Sequence, residues 1–303
     1  PTILIVGFGS IGQRHFRNIN KIFKNNVNFI LLRKNLKTPI LTNNNRIKKV
    51  QNISNKNLKI INKLKDFELN PKQIHSAFIC NPSSMHIDFA IKLLKKNINV
   101  FVEKPLSNNL KNIKILSQLT KKSPAVTMVG YQMRFNPIIN FLKKDKIIYN
   151  KIGNINFVQI DHGENVKNFH TWENYEDSYT SRKKLGGGVT LSQIHELDYF
   201  KFLFRKYKII KSKSIIDKVS NFKIDVDDTS SHLFLLKKKN KKIICNLNLN
   251  FFEYPKNRTI KYIGDKGKLL ADLNKNIIKI YTENKILTKK FNFKRNDLFI
   301  NEL

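Results

Sequence analysis

The chain has 303 residues, of which 41% are hydrophobic and 11% aromatic, and its formal net charge is +35. This length suits two domains, and the composition is that of a folded protein, which excludes an extended disordered chain. No apolar run approaches the roughly 20 residues that a membrane helix needs, and the chain opens directly into a strand without a visible signal peptide. We therefore expect a cytoplasmic protein with no membrane partner.

The basic charge has two interpretations. A basic surface can neutralise the phosphates of a nucleic acid, but a composition rich in lysine and asparagine also gives a charged, solvated surface with no such partner. Because the lysines are spread along the whole chain rather than gathered on one face, we expect no nucleic-acid partner. Cys80 and Cys245 lie in apolar strand patterns without metal-ligand spacing, which predicts packed thiols and no metal site.

A glycine-rich turn follows the first predicted strand directly. Thr2–Val6 is a continuous apolar run, typical of a buried parallel strand, and a helical stretch begins at Gln13. Between them the GxGxxG pattern permits a tight turn and the close approach of a pyrophosphate, which favours dinucleotide binding over a plain turn. The residues predicted to contact the dinucleotide here are Gly7, Phe8, Gly9, Ser10, Ile11 and Gly12.

The second predicted strand, over residues 27–32, ends at Arg33 and Lys34. An NAD-preferring site would place a carboxylate here to bind the ribose 2′-hydroxyl. A guanidinium instead matches a phosphate, so we expect NADP to bind at least as well as NAD. The alternative is that Arg33 stacks on the adenine and leaves both cofactors acceptable.

Strands and helices then alternate up to residue 130. The patterns predict a helix over 58–67, a strand over 74–80, a helix over 85–95, a strand over 100–102, a helix over 110–119 and a strand over 125–130. This alternation predicts a doubly wound parallel sheet, that is, an α/β fold with a Rossmann domain over residues 1–130. Ligands bind at the carboxyl ends of such strands, so Lys104, which follows one strand and precedes a proline, is placed to reach them. The alternative is a solvated Glu103–Lys104 pair that ends a strand.

The pattern changes after residue 130 and predicts an α+β domain over residues 131–303. Strand-like runs dominate it, at 154–161, 229–236, 242–251, 258–263, 268–273 and 277–281. In one of them Cys245, Leu247 and Leu249 alternate with asparagines, as in an antiparallel strand with one packed face. We expect a substrate-binding domain with a mostly antiparallel open sheet.

A glycine triplet at residues 186–188 predicts close approach of the backbone to another group and the start of a helix that carries His195 and Asp198 on one face. The alternative for His195 is a hydrogen-bonded histidine between two domains. Upstream, the aromatic residues of segment 172–179 adjoin the basic run 182–184. This segment is either a surface loop with aromatic anchors or a lip that stacks on a sugar.

Five motifs in this order resemble the Gfo/Idh/MocA oxidoreductases, and the resemblance runs from Thr2 to the end of the chain. The motifs are GFGSIGQRH at residues 7–15, CNP at 80–82 with His86, EKP at 103–105, GYQMRFNP at 130–137, and GGG at 186–188 with HELDY at 195–199. The HELDY variant is most similar to members of surface-polysaccharide and nonulosonic-acid sugar pathways.

The resemblance implies NAD(P)-dependent hydride transfer between a nicotinamide and a hydroxyl-bearing carbon of a sugar, sugar nucleotide or cyclitol. Lys104 and His195 would be the catalytic pair, and the ordinary pKa of histidine, near 6.5, suits an acid/base. The resemblance also implies a homo-oligomer, a dimer or tetramer. Further cofactor contacts are expected at Cys80, Asn81, Pro82, His86, Glu103 and Lys104. Substrate contacts are expected at Lys104, Arg134, Trp172, Tyr175, Tyr179, Ser192 and His195.

The sequence departs from the family pattern in two places. Many members carry an aspartate one turn before the histidine, where this chain has Leu191 and Ser192, so catalysis is left to Lys104 and His195. Residues 296–303 resemble the start of a helix that continues in relatives, so we expect the chain to be truncated. Two other functions stay open: a dinucleotide-sensing protein without turnover, and a lyase or hydrolase that uses bound NAD transiently.

Overall fold

The computed structural model describes residues 1–33, 39–42, 47, 58–61 and 73–303. The first group of elements is β1 Thr2–Val6, α1 Ser10–Ile22, β2 Asn28–Leu32, β3 Leu58–Ile61, β4 Ser76–Ile79, α2 His86–Leu94, β5 Asn99–Glu103, α3 Ile113–Lys122 and β6 Thr127–Gly130. The second group is α4 Pro137–Leu142, α5 Asp145–Ile152, β7 Ile155–Gly163, α6 Val189–Ser192, α7 His195–Leu203, β8 Lys208–Asp217, β9 Thr229–Lys238, β10 Lys241–Asn250, β11 Asn257–Gly264, β12 Gly267–Asp272, β13 Ile277–Thr282, β14 Ile286–Lys290 and α8 Arg295–Glu302.

The amino-terminal strands form one six-stranded parallel sheet in the order β3-β2-β1-β4-β5-β6. Its central strands are apolar on both faces because helices cover both, which is why β1 shows no alternation. The strand order reverses between β1 and β4, and a ligand crevice forms at such a switch point. The predicted Rossmann sheet is confirmed.

One predicted helix of this half is wrong. Residues 58–61 form the edge strand β3, paired in parallel with β2, and residues 62–67 lie outside the described residues. Ile61 is buried in the cluster on one face of the sheet and Leu58 packs against the cluster on the other, while Lys59 and Ile60 are exposed. Four residues are too few to distinguish a helical period from that of a strand. The segment forms a strand because it pairs with the free edge of β2.

The carboxy-terminal sheet has eight strands in the order β14-β13-β12-β11-β7-β10-β9-β8. Its neighbours pair antiparallel except β7 with β10, which are parallel, so the predicted mostly antiparallel sheet is confirmed. The largest buried cluster lies between this sheet and helices α4, α5 and α7. The edge strands β8 and β14 were not predicted, because neither carries a clear apolar face: every residue of β8 is exposed.

The single helix expected after the glycine triplet is two helices. α6 ends at Ser192, and α7 begins at His195 after Gln193 and Ile194. The break turns the carbonyl of Ser192 away from the helical hydrogen-bond ladder, and that carbonyl has a role in the candidate site.

The two halves of the chain are joined by direct contacts between their loops and helices, although the predicted boundary between residues 130 and 131 stays a prediction. Ser83 Oγ donates to the carbonyl of Gly186 at 3.1 Å. Arg14 of α1 donates through Nη1 to Asn296 Oδ1 of α8 at 2.9 Å.

Cys80 and Cys245 are buried free thiols, as predicted. Within the described ranges, no helix has both the length and the apolar character to span a bilayer.

Candidate active site

Lys104 follows the last residue of β5 and reaches across to the other half of the chain. Its Nζ donates a hydrogen bond to the backbone carbonyl of Ser192 at 2.9 Å. Burial lowers the pKa of Lys104, and the carboxylates of Glu103 and Glu196 oppose that shift. The ammonium is therefore held at the junction between the strand ends and the α6–α7 break.

Glu103 points the other way, into the amino-terminal half. Its Oε1 lies 2.7 Å from Nε2 of His15, a fully buried residue of α1. The ring of His15 packs against both Phe78 and Phe101, with centroids 5.3 and 5.0 Å away, and these contacts hold His15 in position beside Glu103. Because its carboxylate is engaged beneath the sheet end, Glu103 serves to hold the strand end that presents Lys104.

His195 opens α7 and is buried, yet neither of its ring nitrogens has a hydrogen-bond partner in the described parts of the chain. The ring packs edge-on against Tyr131, with centroids 6.0 Å apart. Burial first, and then the positive charges of Lys104 and Arg258, lower the pKa of His195 well below its ordinary value. The imidazole is thus neutral at physiological pH, which corrects the expectation of an unperturbed pKa near 6.5.

A buried ion-pair network behind His195 was not predicted from the sequence. Glu196 is fully buried and accepts from Arg258 Nε at 2.7 Å, while Nδ1 of His162 lies 3.0 Å from the same oxygen. Burial alone would raise the pKa of Glu196, but Arg258 and His162 outweigh it and lower the pKa. Arg258 and His162 are directly opposed on β11 and β7, so Glu196 locks the first turn of α7 onto the sheet.

Arg134 is paired within the protein. Its Nε and Nη2 donate to the two carboxylate oxygens of Asp198 at 2.9 and 2.6 Å, a bidentate pair. The guanidinium also lies over the rings of Tyr131 and Phe202, 5.4 Å from each centroid. Since Asp198 lies one helical turn beyond His195, this pair fixes α7 to the segment after β6. The substrate contact predicted for Arg134 stays a prediction.

The aromatic segment lies on short helical turns before the glycine triplet. Trp172 and Tyr179 flank the ring of His170, with centroids 4.7 and 5.7 Å away. Burial first, and then the negative charges of Glu103 and Glu173, raise the pKa of Tyr179 to about 12. Tyr175 packs instead against Phe222, at 5.9 Å. The structure thus packs Trp172 and Tyr179 against His170 and Tyr175 against Phe222, and the substrate contacts predicted for these three residues stay predictions.

The glycine-rich turn has space where a dinucleotide would need it. A Cβ on Gly7 would lie 2.7 Å from the backbone nitrogen of Asn81, and one on Gly12 would lie 2.2 Å from the Gly7 carbonyl. A Cβ on Gly9 would meet no atom of the described chain within 4 Å. Gly9 is also the N-cap of the thirteen-residue helix α1, without a side-chain capping bond. Two glycines thus close the turn, and the third opens onto the amino terminus of α1, which suits a pyrophosphate.

The loop after β4 lines the same crevice. Asn81 keeps its side-chain oxygen buried without a partner among the described residues, so it can accept from a ligand. Cys80 lies beneath Gly12, and burial raises the pKa of its thiol well above the ordinary value. Both ring nitrogens of His86 lie against backbone carbonyls, so this residue shapes the loop from within.

Arg33 lies directly after β2 and is largely buried. Its guanidinium carbon is 5.8 Å from the ring centroid of Phe8 in the glycine-rich turn. Burial lowers the pKa of the guanidinium. The side chain therefore borders the crevice at its ribose end, while Lys34 lies outside the described residues.

The glycine triplet is filled by protein atoms. A Cβ on Gly186 would lie 2.1 Å from Ser83 Oγ, one on Gly187 2.4 Å from the Thr180 carbonyl oxygen, and one on Gly188 2.1 Å from a carboxylate oxygen of Asp227. The predicted close approach is therefore to the protein itself. A cleft of about 670 Å³ borders this segment, but its lining does not include Lys104 or His195. Residues lining it include Asn108, Lys183, Gly186, Leu191, Asp217 and Asp227.

Comparison with known families matches residues 2–131 to the family described as "Oxidoreductase family, NAD-binding Rossmann fold", the Gfo/Idh/MocA family. Among curated proteins, the chain is similar to the myo-inositol 2-dehydrogenase of Thermotoga maritima, with 23% identity over 66% of this chain and 57% of that protein. It is also 26% identical to Oxidoreductase P35 of Formosa agariphila, over 46% of this chain and 44% of that protein. The chain thus spans about half the length of these relatives.

Solved structures share the whole fold. One is a levoglucosan dehydrogenase in complex with NADH, with a TM-score of 0.75, 14% identity, and coverage of 99% of this chain and 87% of that chain. Another is a UDP-N-acetylglucosamine 3-dehydrogenase from Acidithiobacillus ferrooxidans, with a TM-score of 0.70, 13% identity, and coverage of 99% and 85%. Identities this low establish the shared fold and nothing finer.

Proposed function

The chain belongs, through residues 2–131, to the Gfo/Idh/MocA oxidoreductases, and on that premise we propose that it transfers a hydride between a nicotinamide and a hydroxyl-bearing carbon of a sugar, sugar nucleotide or cyclitol. The observation that carries this proposal is the convergence of Lys104 and His195 at the α6–α7 break. The Lys104 ammonium is bonded to the Ser192 carbonyl, and three residues further along lies a buried histidine whose ring nitrogens have no partner in the described structure. The dehydrogenase names of the inositol, levoglucosan and UDP-sugar relatives support the substrate class.

The chemistry needs one base and one hydrogen-bond donor at the reacting oxygen. Oxidation of a secondary alcohol removes a hydride from carbon, which a bound nicotinamide accepts, and a proton from oxygen. His195, neutral because its pKa is lowered by burial, takes that proton on a free ring nitrogen. Lys104 donates a hydrogen bond to the same oxygen and stabilises its developing negative charge. In the reverse direction His195 returns the proton to the oxygen, and Lys104 donates the same hydrogen bond.

The remaining roles follow from what each side chain already contacts. The glycine-rich turn and the Asn81 oxygen would hold the dinucleotide, and Arg33 would favour the 2′-phosphate of NADP. Ser192 Oγ, buried without a partner in the described chain, would bind a substrate hydroxyl, and Tyr179 and Trp172 would border the substrate. Residues 1–130 would thus bind the cofactor and residues 131–303 the substrate, in a cytoplasmic homo-oligomer.

A cofactor-dependent turnover screen tests the proposal. Sugars, cyclitols and sugar nucleotides are incubated with NAD or NADP, and both nicotinamide absorbance and product are measured. Reduction of the cofactor in step with product supports the proposal. Conversion of substrate without net reduction would identify the lyase or hydrolase alternative, and dinucleotide binding without any conversion would identify a sensor.

A glycine variant separates cofactor binding from folding. Gly9→Ala places a methyl group where no described protein atom lies within 4 Å, so thermal stability should be unchanged while dinucleotide affinity falls by about tenfold or more. The matched control Gly187→Ala drives a methyl group into the Thr180 carbonyl and should lower stability instead. Wild-type dinucleotide affinity in Gly9→Ala would show that this turn does not hold the pyrophosphate.

A further inference from the structure

His86 is a buried histidine whose two ring nitrogens both lie against backbone carbonyls. It begins α2 and is 1% exposed. Nδ1 lies 2.7 Å from the carbonyl oxygen of Pro105, and Nε2 lies 2.8 Å from that of Asn81. A carbonyl oxygen only accepts hydrogen bonds, so the ring must donate at each nitrogen to make both.

The two carbonyls belong to the two loops that form the candidate site. Asn81 lies in the loop after β4, and its backbone nitrogen would be only 2.7 Å from a Cβ on Gly7, so this loop packs closely against the glycine-rich turn. Pro105 follows Lys104 in the loop after β5. β4 and β5 are neighbours in the sheet, so one imidazole spans the carboxyl ends of adjacent strands.

We infer that His86 is a positioning residue: it ties the Asn81 loop to the Lys104 loop, and the tie is complete only when both ring nitrogens carry a proton. A neutral imidazole has one N–H, so one nitrogen would then present its lone pair to an oxygen at less than 3 Å and would release that loop. Protonation of His86 thereby couples the spacing of the cofactor turn to the placement of the lysine. This inference rests on the proposed function for the roles of Lys104 and of the glycine-rich turn.

The charged groups around His86 determine the pH range in which both of its ring nitrogens donate hydrogen bonds. Burial lowers the pKa of His86 and is the largest influence, the two backbone hydrogen bonds and Glu103 favour the charged ring, and Lys104 opposes it. Cys80, in the loop after β4, is a buried neutral thiol, and Asp88 on the same helix is turned to Asn112. The doubly bonded state is therefore favoured as the pH falls below the ordinary range of histidine.

The protonation state can be observed in the apo protein. The ¹⁵N shifts of the His86 ring are recorded between about pH 5 and 8 and assigned by their loss in His86→Phe. We expect both nitrogens to be protonated and hydrogen-bonded at the acidic end, with one of them losing its proton as the pH rises. A single neutral tautomer down to pH 5 would overturn the inference. This measurement needs no cofactor or substrate, so it stands if the proposed reaction fails.

NAD affinity provides the second arm, since the NAD pyrophosphate does not titrate in this range. Fluorescence titrations compare wild type, His86→Phe and the control His75→Phe, an exposed histidine just before the opposite end of β4. Wild-type affinity should rise as the pH falls, whereas His86→Phe should bind about tenfold more weakly with a flat profile, because two buried carbonyls lose their donor. His75→Phe should follow the wild type. A folded His86→Phe with the wild-type affinity and pH profile would overturn the inference, and if that variant fails to fold, the ring shifts of the wild type decide.

Discussion

Two adjacent acid–base pairs face the candidate centre, Glu103–Lys104 at the end of β5 and His195–Glu196 at the start of α7. In each pair the carboxylate turns back into its own half of the molecule, and its neighbour extends toward the junction. Lys104 is held there by a backbone carbonyl, whereas neither ring nitrogen of His195 has a partner in the described residues.

The difference shows how the two groups are prepared for their roles. A lysine has a long, flexible side chain, and a fixed acceptor reduces the entropy lost when it is placed for reaction. The imidazole is placed by its backbone and by packing, so its nitrogens are left for an incoming group. The carboxylates differ as well: Glu103 has a histidine partner, and Glu196 has an arginine and a histidine.

The largest expected effect tests whether the two carboxylates are equivalent anchors. Glu196→Ala leaves the largely buried Arg258 without its charge partner and should lower the free energy of unfolding by about 3–5 kcal/mol. Glu103→Ala removes a hydrogen bond to a histidine and should cost about 1–3 kcal/mol. Chemical denaturation of both variants measures the difference. Equal losses would mean that the arginine adds nothing to the α7 anchor.

Removal of the lysine tests the group that is held in place. Lys104→Ala should lower kcat by about a hundredfold or more, because the reacting oxygen loses its donor, while dinucleotide affinity is retained. Steady-state kinetics and a binding titration measure the two effects. Lys96→Ala, at an exposed lysine after α2, is the matched control and should behave as wild type. Near-wild-type turnover in Lys104→Ala would remove the lysine from the mechanism.

The pH–rate profile tests the group that is left free. Oxidation requires a neutral His195, so activity is lost as the pH falls through the pKa of that residue. Because this pKa is lowered, the acidic limb of the profile should lie below pH 6.5. Glu196 opposes the lowering, so Glu196→Gln should move the limb to still lower pH, and His195→Asn should abolish it. A limb at or above pH 6.5 that persists in His195→Asn would belong to another group.

The smallest expected effect concerns Arg33, which lies at the ribose end of the cofactor crevice and belongs to neither acid–base pair. Arg33→Ala should weaken NADP by several-fold more than NAD, because a guanidinium binds a phosphate better than a hydroxyl. Arg33→Lys retains the charge without the planar guanidinium, so its NADP affinity should lie between those of the wild type and of Arg33→Ala. Fluorescence titration with both cofactors measures this. Equal losses for NAD and NADP would indicate stacking on the adenine instead.

Only the tertiary structure decided several features of the site. The Glu196–Arg258–His162 network, the Arg134–Asp198 pair and the parallel pairing of β7 with β10 join residues far apart in the chain, and no local pattern encodes such partners. The same holds for the pKa of His195, which depends on burial by elements that the sequence places far away. The edge strand β3 likewise depended on the free edge beside it.

The sequence by itself determined the features that act over a few residues. The apolar run of β1, the glycine turn and α1 follow from strand periodicity and from the steric freedom of glycine, and both operate within one turn of chain. The position of Lys104 at a strand end follows from the run that precedes it and the proline that follows it. In both glycine clusters the sequence indicated close approach, but tertiary packing decided which atoms approach. A Cβ on Gly9 would meet no described atom, whereas one on Gly187 would meet the Thr180 carbonyl. The difference arises because a glycine's neighbours come from segments that fold back from elsewhere in the chain.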